Sequence, residues 1–296
     1  MSKFVKFLVC LIFLKILLVS TQEGNSTFLI SGGYRPRQHK LAKYMVSIQK
    51  SAFSKYFGSN HFCAGSILAP RVILTAAHCF WDKISASKRE KKHIQIVAKT
   101  PNRLKKSRHT EIIKIQDIIL HPKYDSNILK NDIAVVHLAS SIHEDGVYAQ
   151  RIKIPASPVK VETKCTVLGW GRVFEDGPRA ADALYADIYK LAESKCKIVY
   201  RNLTRGSFCA GDLKDLEKDA CKGDSGGPLI CNGKITGIVS YGSGFGCGVM
   251  PEVYADVWYY RDWILKVSEI SKCVKSANSI SMFKVFLLQL LVWIAN

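Results

Sequence analysis

The chain has 296 residues, 48% of them hydrophobic, enough for a well-buried core in one large or two small packed units. Its formal net charge of +19 attracts acidic partners. With no aromatic interleaving and no nucleic-acid motif, the charge does not indicate a DNA- or RNA-binding protein. Ten cysteines suggest an oxidising compartment.

At the N-terminus, Lys3 and Lys6 precede an apolar run over residues 7–19, broken once by Lys15 and followed by Ser20 and Thr21. This is a secretory signal peptide over residues 1–20 by charge and length, and the run is short for a membrane-spanning anchor. Cys10 would leave with it. Residues 21–29 form a short polar stretch containing Asn25-Ser26-Thr27, a glycosylation acceptor. Short β-type runs then follow at 44–49, 62–68, 71–77, 94–98, 112–120, 133–138, 165–170, 183–191, 227–230, 234–241 and 253–257. Gly, Pro, Asn and Asp clusters separate them, which argues for closed barrels or sandwiches. Val257, Tyr260, Ile264 and Val267 recur at helical spacing, so one C-terminal helix is expected.

Much of the positive charge lies between Lys83 and Lys114, including Lys88-Arg89, Lys91-Lys92 and Arg103-Leu104-Lys105-Lys106-Ser107-Arg108. A solvated surface without a specific ligand is the simpler reading of this basic loop, and polyanions are the competing partner. Asn202-Leu203-Thr204 is a second glycosylation acceptor. The apolar end, residues 280–294, would make a helix of about 22 Å, short of the roughly 30 Å hydrocarbon core. Small residues at Ser276, Ala277 and Asn278 resemble a glycolipid-anchor signal. A membrane-surface helix and a nonfunctional extension are the other readings of this tail.

Three segments carry chemistry. Asp219-Ala220-Cys221-Lys222-Gly223-Asp224-Ser225-Gly226-Gly227-Pro228-Leu229 sets one serine among glycines, which lack a Cβ and let the backbone approach a substrate closely. The N–H groups of Gly223 and Ser225 are placed to converge on an oxyanion. Leu74-Thr75-Ala76-Ala77-His78-Cys79 supplies an imidazole, and Asn131-Asp132-Ile133-Ala134 supplies a carboxylate. A serine hydroxyl is a weak nucleophile at neutral pH and needs such a base beside it.

In that chain order of His, Asp and Ser, the segments resemble the trypsin/chymotrypsin-like serine proteases over about residues 30–270. The resemblance implies an all-β fold of two six-stranded antiparallel barrels, with a cleft between them and a C-terminal α-helix. It makes Ser225 the nucleophile, His78 the base and Asp132 the residue that orients the imidazole. Ser240, opening Ser240-Tyr241-Gly242, would support the aspartate and start the backbone edge that holds substrate. It also implies disulfides Cys63–Cys79, Cys165–Cys231, Cys196–Cys209 and Cys221–Cys247, which sequence alone does not assign. Cys273 has no partner in that pattern. It is a free thiol, an intermolecular link or a lipid acceptor.

The family is activated by cleavage, after which a new N-terminus pairs with the aspartate before the serine. Ile30 and Asp224 match those positions, so residues 21–29 would be a propeptide. Leu29 stands where a trypsin-activated precursor has Arg or Lys, and Ser31 replaces an apolar residue. The activating protease would therefore cut after leucine or trim the propeptide. Asp219 matches the carboxylate at the floor of the specificity pocket, which implies cleavage after Arg or Lys. Glu252, in Met250-Pro251-Glu252-Val253, stands where the family usually has glycine on the pocket wall, with Gly242 nearby. Pointing inward, it would shorten the pocket and raise a carboxyl pKa through like charge; pointing outward, it would leave trypsin-like selectivity intact. No cofactor is implied, and a metal site is not expected because residues 100–108 are basic where some trypsins carry calcium-binding carboxylates. The expected protein is a secreted, extracellular serine endopeptidase acting on proteins or peptides, with a possible membrane tether through its tail. The alternative is a protease-fold binding or regulatory module that is never activated.

Overall fold

The computed structural model describes residues 33–52, 55–215 and 218–269. The expected signal peptide, the propeptide with Asn25, the activation residue Ile30, Cys10, Cys273 and the 271–296 tail lie outside the described residues.

In chain order the strands are β1 (Met45–Lys50), β2 (His61–Ala69), β3 (Val72–Thr75), β4 (Trp81–Asp82), β5 (Ser87–Lys88), β6 (Ile94–Ala98), β7 (Glu111–Leu120) and β8 (Ala134–Leu138). They continue as β9 (Lys164–Gly169), β10 (Leu184–Lys190), β11 (Ser207–Gly211), β12 (Pro228–Cys231), β13 (Lys234–Tyr241) and β14 (Glu252–Asp256). Helix α1 spans Glu193–Val199 and α2 spans Arg261–Val267.

Two closed barrels result, one in the order β1-β2-β3-β8-β7-β6 and the other in the order β10-β11-β14-β13-β12-β9, with antiparallel pairing throughout. Closure leaves neither barrel an unpaired edge for another chain to extend. The sequence dictates which face of each strand turns inward. On β7, Ile113 and Ile115 are buried while Ile112, Lys114 and Gln116 face solvent. A register shift between Ile115 and Asp117 then inserts one residue, so Ile118 rather than Asp117 is the next to enter the core.

The first barrel's core includes Ile48, Ile67, Ile73, Leu74, Ile96 and Val136, all fully buried. Each such side chain contributes about 1.5–3 kcal/mol of burial. Trp170, 1% exposed, ties the barrels together by donating its indole N–H to the Pro101 carbonyl at 2.9 Å. Ala64 of β2 likewise donates its backbone N–H to the Ser225 carbonyl at 2.8 Å.

Three details depart from the sequence reading. The strand expected over 71–77 stops at Thr75, and residues Ala77–Phe80 form a 3-10 turn that carries His78. Strand β11 and helix α1 were not expected. Helix α1 buries only Cys196, so it shows no apolar stripe. The C-terminal helix is shorter than its apolar spacing suggested, because Val257 and Tyr260 precede it, both buried. It packs behind the first barrel, where the Val267 carbonyl accepts a hydrogen bond from His137 Nε2 at 2.9 Å.

Candidate active site

His78 and Asp132 come from different segments of the first barrel and meet in the cleft. The Asp132 carboxylate, 2% exposed, accepts the backbone N–H of His78 at 2.8 Å on Oδ1 and His78 Nδ1–H at 2.7 Å on Oδ2. Ser240 Oγ donates to the same Oδ2 at 2.5 Å. These contacts place one proton: a carboxylate only accepts, so His78 Nδ1 is the donor. The preceding residue makes this turn feasible. Asn131 has φ 53°, a left-handed conformation that asparagine tolerates, and its side chain is held by the Tyr260 hydroxyl at 3.0 Å and the Lys123 carbonyl at 2.6 Å.

Ser225 lies on the second-barrel side, half-buried, with its carbonyl oxygen 3.8 Å from Cys79 Sγ. Its hydroxyl makes no hydrogen bond to His78 among the described residues; Nε2 lies 3.9 Å from Cys79 Sγ instead. Rotation about one Cα–Cβ bond moves the hydroxyl between staggered positions, and such contacts tighten when substrate binds. The backbone N–H groups of Gly223 and Ser225 donate to nothing among the described residues, which leaves two donors open beside the serine. Both glycines flanking this turn are required. Gly223 has φ 114°, and a Cβ on Gly226 (φ 76°) would fall 2.1 Å from Thr75 Oγ1.

A residue that the motifs did not single out anchors this loop. His61, 1% exposed, contacts the Gly223 carbonyl through Nε2 at 3.0 Å and Ser47 Oγ through Nδ1 at 2.8 Å. A carbonyl only accepts, so Nε2 is the protonated nitrogen and Nδ1 accepts from the hydroxyl. Burial pushes the His61 pKa down to about 3, so the ring stays neutral in this role. Its only sequence cue was a histidine two residues before Cys63.

Asp224 is fully buried and accepts N–H groups from Gly171 at 2.6 Å and Cys221 at 2.9 Å. Burial pushes its pKa up to about 6 despite those donors. No cation forms an ion pair with it among the described residues.

Asp219 is 2% exposed, in the segment between β11 and β12, with Oδ1 accepting the Ala220 N–H at 2.8 Å. Glu252 points inward. Its Oε1 lies 2.6 Å from where a Cβ on Gly242 would stand, so the carboxylate fills the space beside that wall. Burial, then the Glu252 charge, holds Asp219 well above the ordinary carboxylate range, and burial likewise raises Glu252. Tyr200 braces the wall by donating to the Pro251 carbonyl at 2.7 Å. The buried Tyr254 hydroxyl has no hydrogen-bond partner among the described residues.

All four implied disulfides are present: Cys63–Cys79, Cys165–Cys231, Cys196–Cys209 and Cys221–Cys247. The first is adjacent to His78 and the last joins the Asp219 segment to the loop before Glu252. Sulfur also lies close to His78 and to Glu175, but these cysteines are oxidised and lack the thiolate a metal needs. Asn202 is exposed in a turn, accessible to modification. No helix of the described residues is long and apolar enough to cross a membrane.

A family model described as Trypsin matches residues 30–264. Trypsin II-P29 of Gallus gallus is 36% identical over 251 residues, covering 83% of this chain and 92% of that protein. Trypsin-3 of Salmo salar is 34% identical over 237 residues, covering 79% and 91%. Trypsin Blo t 3 of Blomia tropicalis is 36% identical over 230 residues, covering 75% and 80%.

Proposed function

Because this chain belongs to the trypsin family and is a serine endopeptidase, we propose that Ser225, His78 and Asp132 carry out its acyl transfer. The observation that carries this reading is the buried Asp132 carboxylate, which accepts His78 Nδ1–H at 2.7 Å and fixes the ring one residue from Cys79, whose Sγ lies 3.8 Å from the Ser225 carbonyl oxygen. Ser225 Oγ attacks the peptide carbonyl as His78 Nε2 takes its proton. The carbonyl oxygen becomes an oxyanion between the Gly223 and Ser225 N–H groups. His78 then returns the proton to the leaving amine, and water repeats the sequence on the acyl-enzyme. Asp132 stays ionised and steadies the imidazolium. Preorganised donors of this kind are worth roughly 2.7–4 kcal/mol each.

The enzyme cleaves after Arg or Lys, in this reading, because an uncompensated cation finds two carboxylates in the pocket. Glu252 limits how deep the side chain reaches and lowers efficiency without reversing the preference. Activation places the Ile30 ammonium on Asp224, the fully buried carboxylate that precedes Ser225. We assign residues 1–20 to a signal peptide, 21–29 to a propeptide, 30–270 to the protease domain and 271–296 to a hydrophobic tail. The product is secreted and extracellular, and it needs a protease that acts at Leu29. A binding module that never turns over is not favoured, because the family match is to trypsins along most of the chain.

The test compares the uncut chain with chain cut between Leu29 and Ile30, using peptides that differ only in Arg, Lys or Ala before the bond. Cut chain is expected to favour Arg and Lys by at least about tenfold and uncut chain to be nearly inert. Equal activity in both forms would refute the activation step, and equal rates on all three peptides would refute the pocket assignment.

A further inference from the structure

The basic loop has a structure that its charge alone did not reveal. Strands β4 and β5 pair as a hairpin, Trp81 opposite Lys88 and Asp82 opposite Ser87, with Ile84 fully exposed at its tip. Between this hairpin and the end of β1 lies a groove of about 340 Å³, lined by Lys50, Phe62, Lys88, Arg89 and His93. Two acids also line it, and both are engaged. Asp82 Oδ1 accepts the N–H groups of Ile84 and Ser85 at 2.9 and 3.2 Å, and Glu90 pairs with Lys92 at 2.8 Å and His93 at 3.3 Å.

The cations are less committed. Arg89 Nε donates to the Trp81 carbonyl at 3.3 Å, and the guanidinium lies 5.7 Å above the Phe62 ring. Its terminal nitrogens make no hydrogen bond among the described residues, the group is half-buried, and Asp82 across the groove feels its charge without pairing with it. Lys50 is exposed with no acidic partner among them. Lys88 reaches the Ile118 carbonyl and stands 3.9 Å from Asp117. A planar guanidinium held against an aromatic ring, with its fork open, is preorganised for a carboxylate.

The position of the groove says which carboxylate. Phe62 lies between His61, which grips Gly223, and Cys63, which is bonded to Cys79 beside His78. His78 must hand its proton to the leaving amine, so the departing half of the substrate lies on the His78 and Cys79 side. The Asp219 pocket receives the other half. An extended chain advances about 3.3 Å per residue, so the first few residues after the cleaved bond pass over Phe62 toward the hairpin.

We propose that this groove is a subsite for the departing half of the substrate, selecting Glu or Asp within the first three residues after the cleaved bond. Arg89 is its main contact and Lys50 and Lys88 reinforce it. The inference rests on the serine endopeptidase reading and adds a second determinant of specificity to it. A sulfated polysaccharide would match the charge but makes no use of Phe62's place between the residues that hold Gly223 and Cys79.

The experiment uses activated full-length enzyme and internally quenched peptides with an identical Arg-containing first half. Glu, Gln or Lys is placed in turn at the first, second or third position after the bond. At one of these positions Glu is expected to exceed Lys in kcat/KM by about three- to tenfold, a ratio that shrinks as salt is added. Arg89→Glu is expected to invert the order. Uniform rates across the three residues would overturn the proposal while leaving the endopeptidase reading intact. Uniform rates combined with equal slowing of every peptide by a sulfated polysaccharide would overturn it in favour of a polyanion site. Absence of hydrolysis of all peptides would sink both readings.

Discussion

Replacing Glu252 by glycine tests how the pocket sets specificity. Glu252 Oε1 lies 2.6 Å from the position of a Cβ on Gly242, so the side chain fills space that a long substrate side chain needs. Misfit of a single methylene in a binding pocket is worth about 1–3 kcal/mol, or roughly 5- to 150-fold in kcat/KM. Glu252→Gly removes that obstruction and leaves Asp219, 2% exposed, as the remaining counter-charge. It also removes the like charge that helps keep Asp219 above the ordinary carboxylate range, so Asp219 ionises more readily. Cleavage after Arg is therefore expected to rise about 10- to 100-fold in kcat/KM. Glu252→Gln keeps the bulk and discards the charge, so it separates the two effects and is expected to give only the smaller part of the rise that comes from easier Asp219 ionisation. Initial rates on matched Arg, Lys and Ala peptides, with near-ultraviolet circular dichroism to verify folding, provide the assay. A folded Glu252→Gly enzyme no faster on Arg than its parent would refute the idea that this carboxylate obstructs the pocket.

Two further outcomes concern stability. Lys99 is 6% exposed and pairs with Glu111 at 2.9 Å and Asp145 at 3.3 Å, tying the start of β7 to the 139–150 segment. Breaking a buried pair costs about 3–5 kcal/mol, and both carboxylates here are about a quarter exposed, so Lys99→Met is expected to lose nearer 2 kcal/mol in urea unfolding; a loss under about 0.5 kcal/mol would show the pair to be incidental. Asp224 has its pKa raised by burial to about 6, above the unfolded value of about 3.9. Its contribution to stability is therefore fully present below about pH 3.9 and lost as pH rises through 6, about 2–3 kcal/mol in all. Relative to an Asp224→Asn variant, the uncut chain is expected to lose that amount between about pH 4 and 7, and parallel stability profiles for the two would contradict it.

The sequence exposed chemistry more readily than direction. Runs such as 94–98 and 234–241 appear as strands with the expected bounds, because β-branched residues dominate them. His78, Asp132 and Ser225 were identifiable because short motifs surround them. Their convergence depends on barrel closure, which no local pattern encodes. Strand β11 is hidden in the sequence because Ser207-Phe208-Cys209-Ala210-Gly211 is short and carries little β-branched character. His61 shows no local signature, since its role depends on a carbonyl 162 residues away. Glu252 was visible as a departure from the family pattern, but its inward orientation is a property of β14 packing that spacing does not fix. The basic loop showed its charge in the sequence. Its groove depended on the β4–β5 hairpin folding back on Phe62.

The central claim is that Ser225 is activated by His78 and Asp132 in one cleft. Chain cut between Leu29 and Ile30 and treated with an arginine-derived organophosphonate provides the most direct measurement, read by intact mass and peptide mapping. One adduct per molecule is expected, carried on Ser225, and strongly slowed by His78→Ala. A folded, correctly cut chain that takes up no phosphonate, or a Ser225→Ala chain that still does, would contradict the assignment.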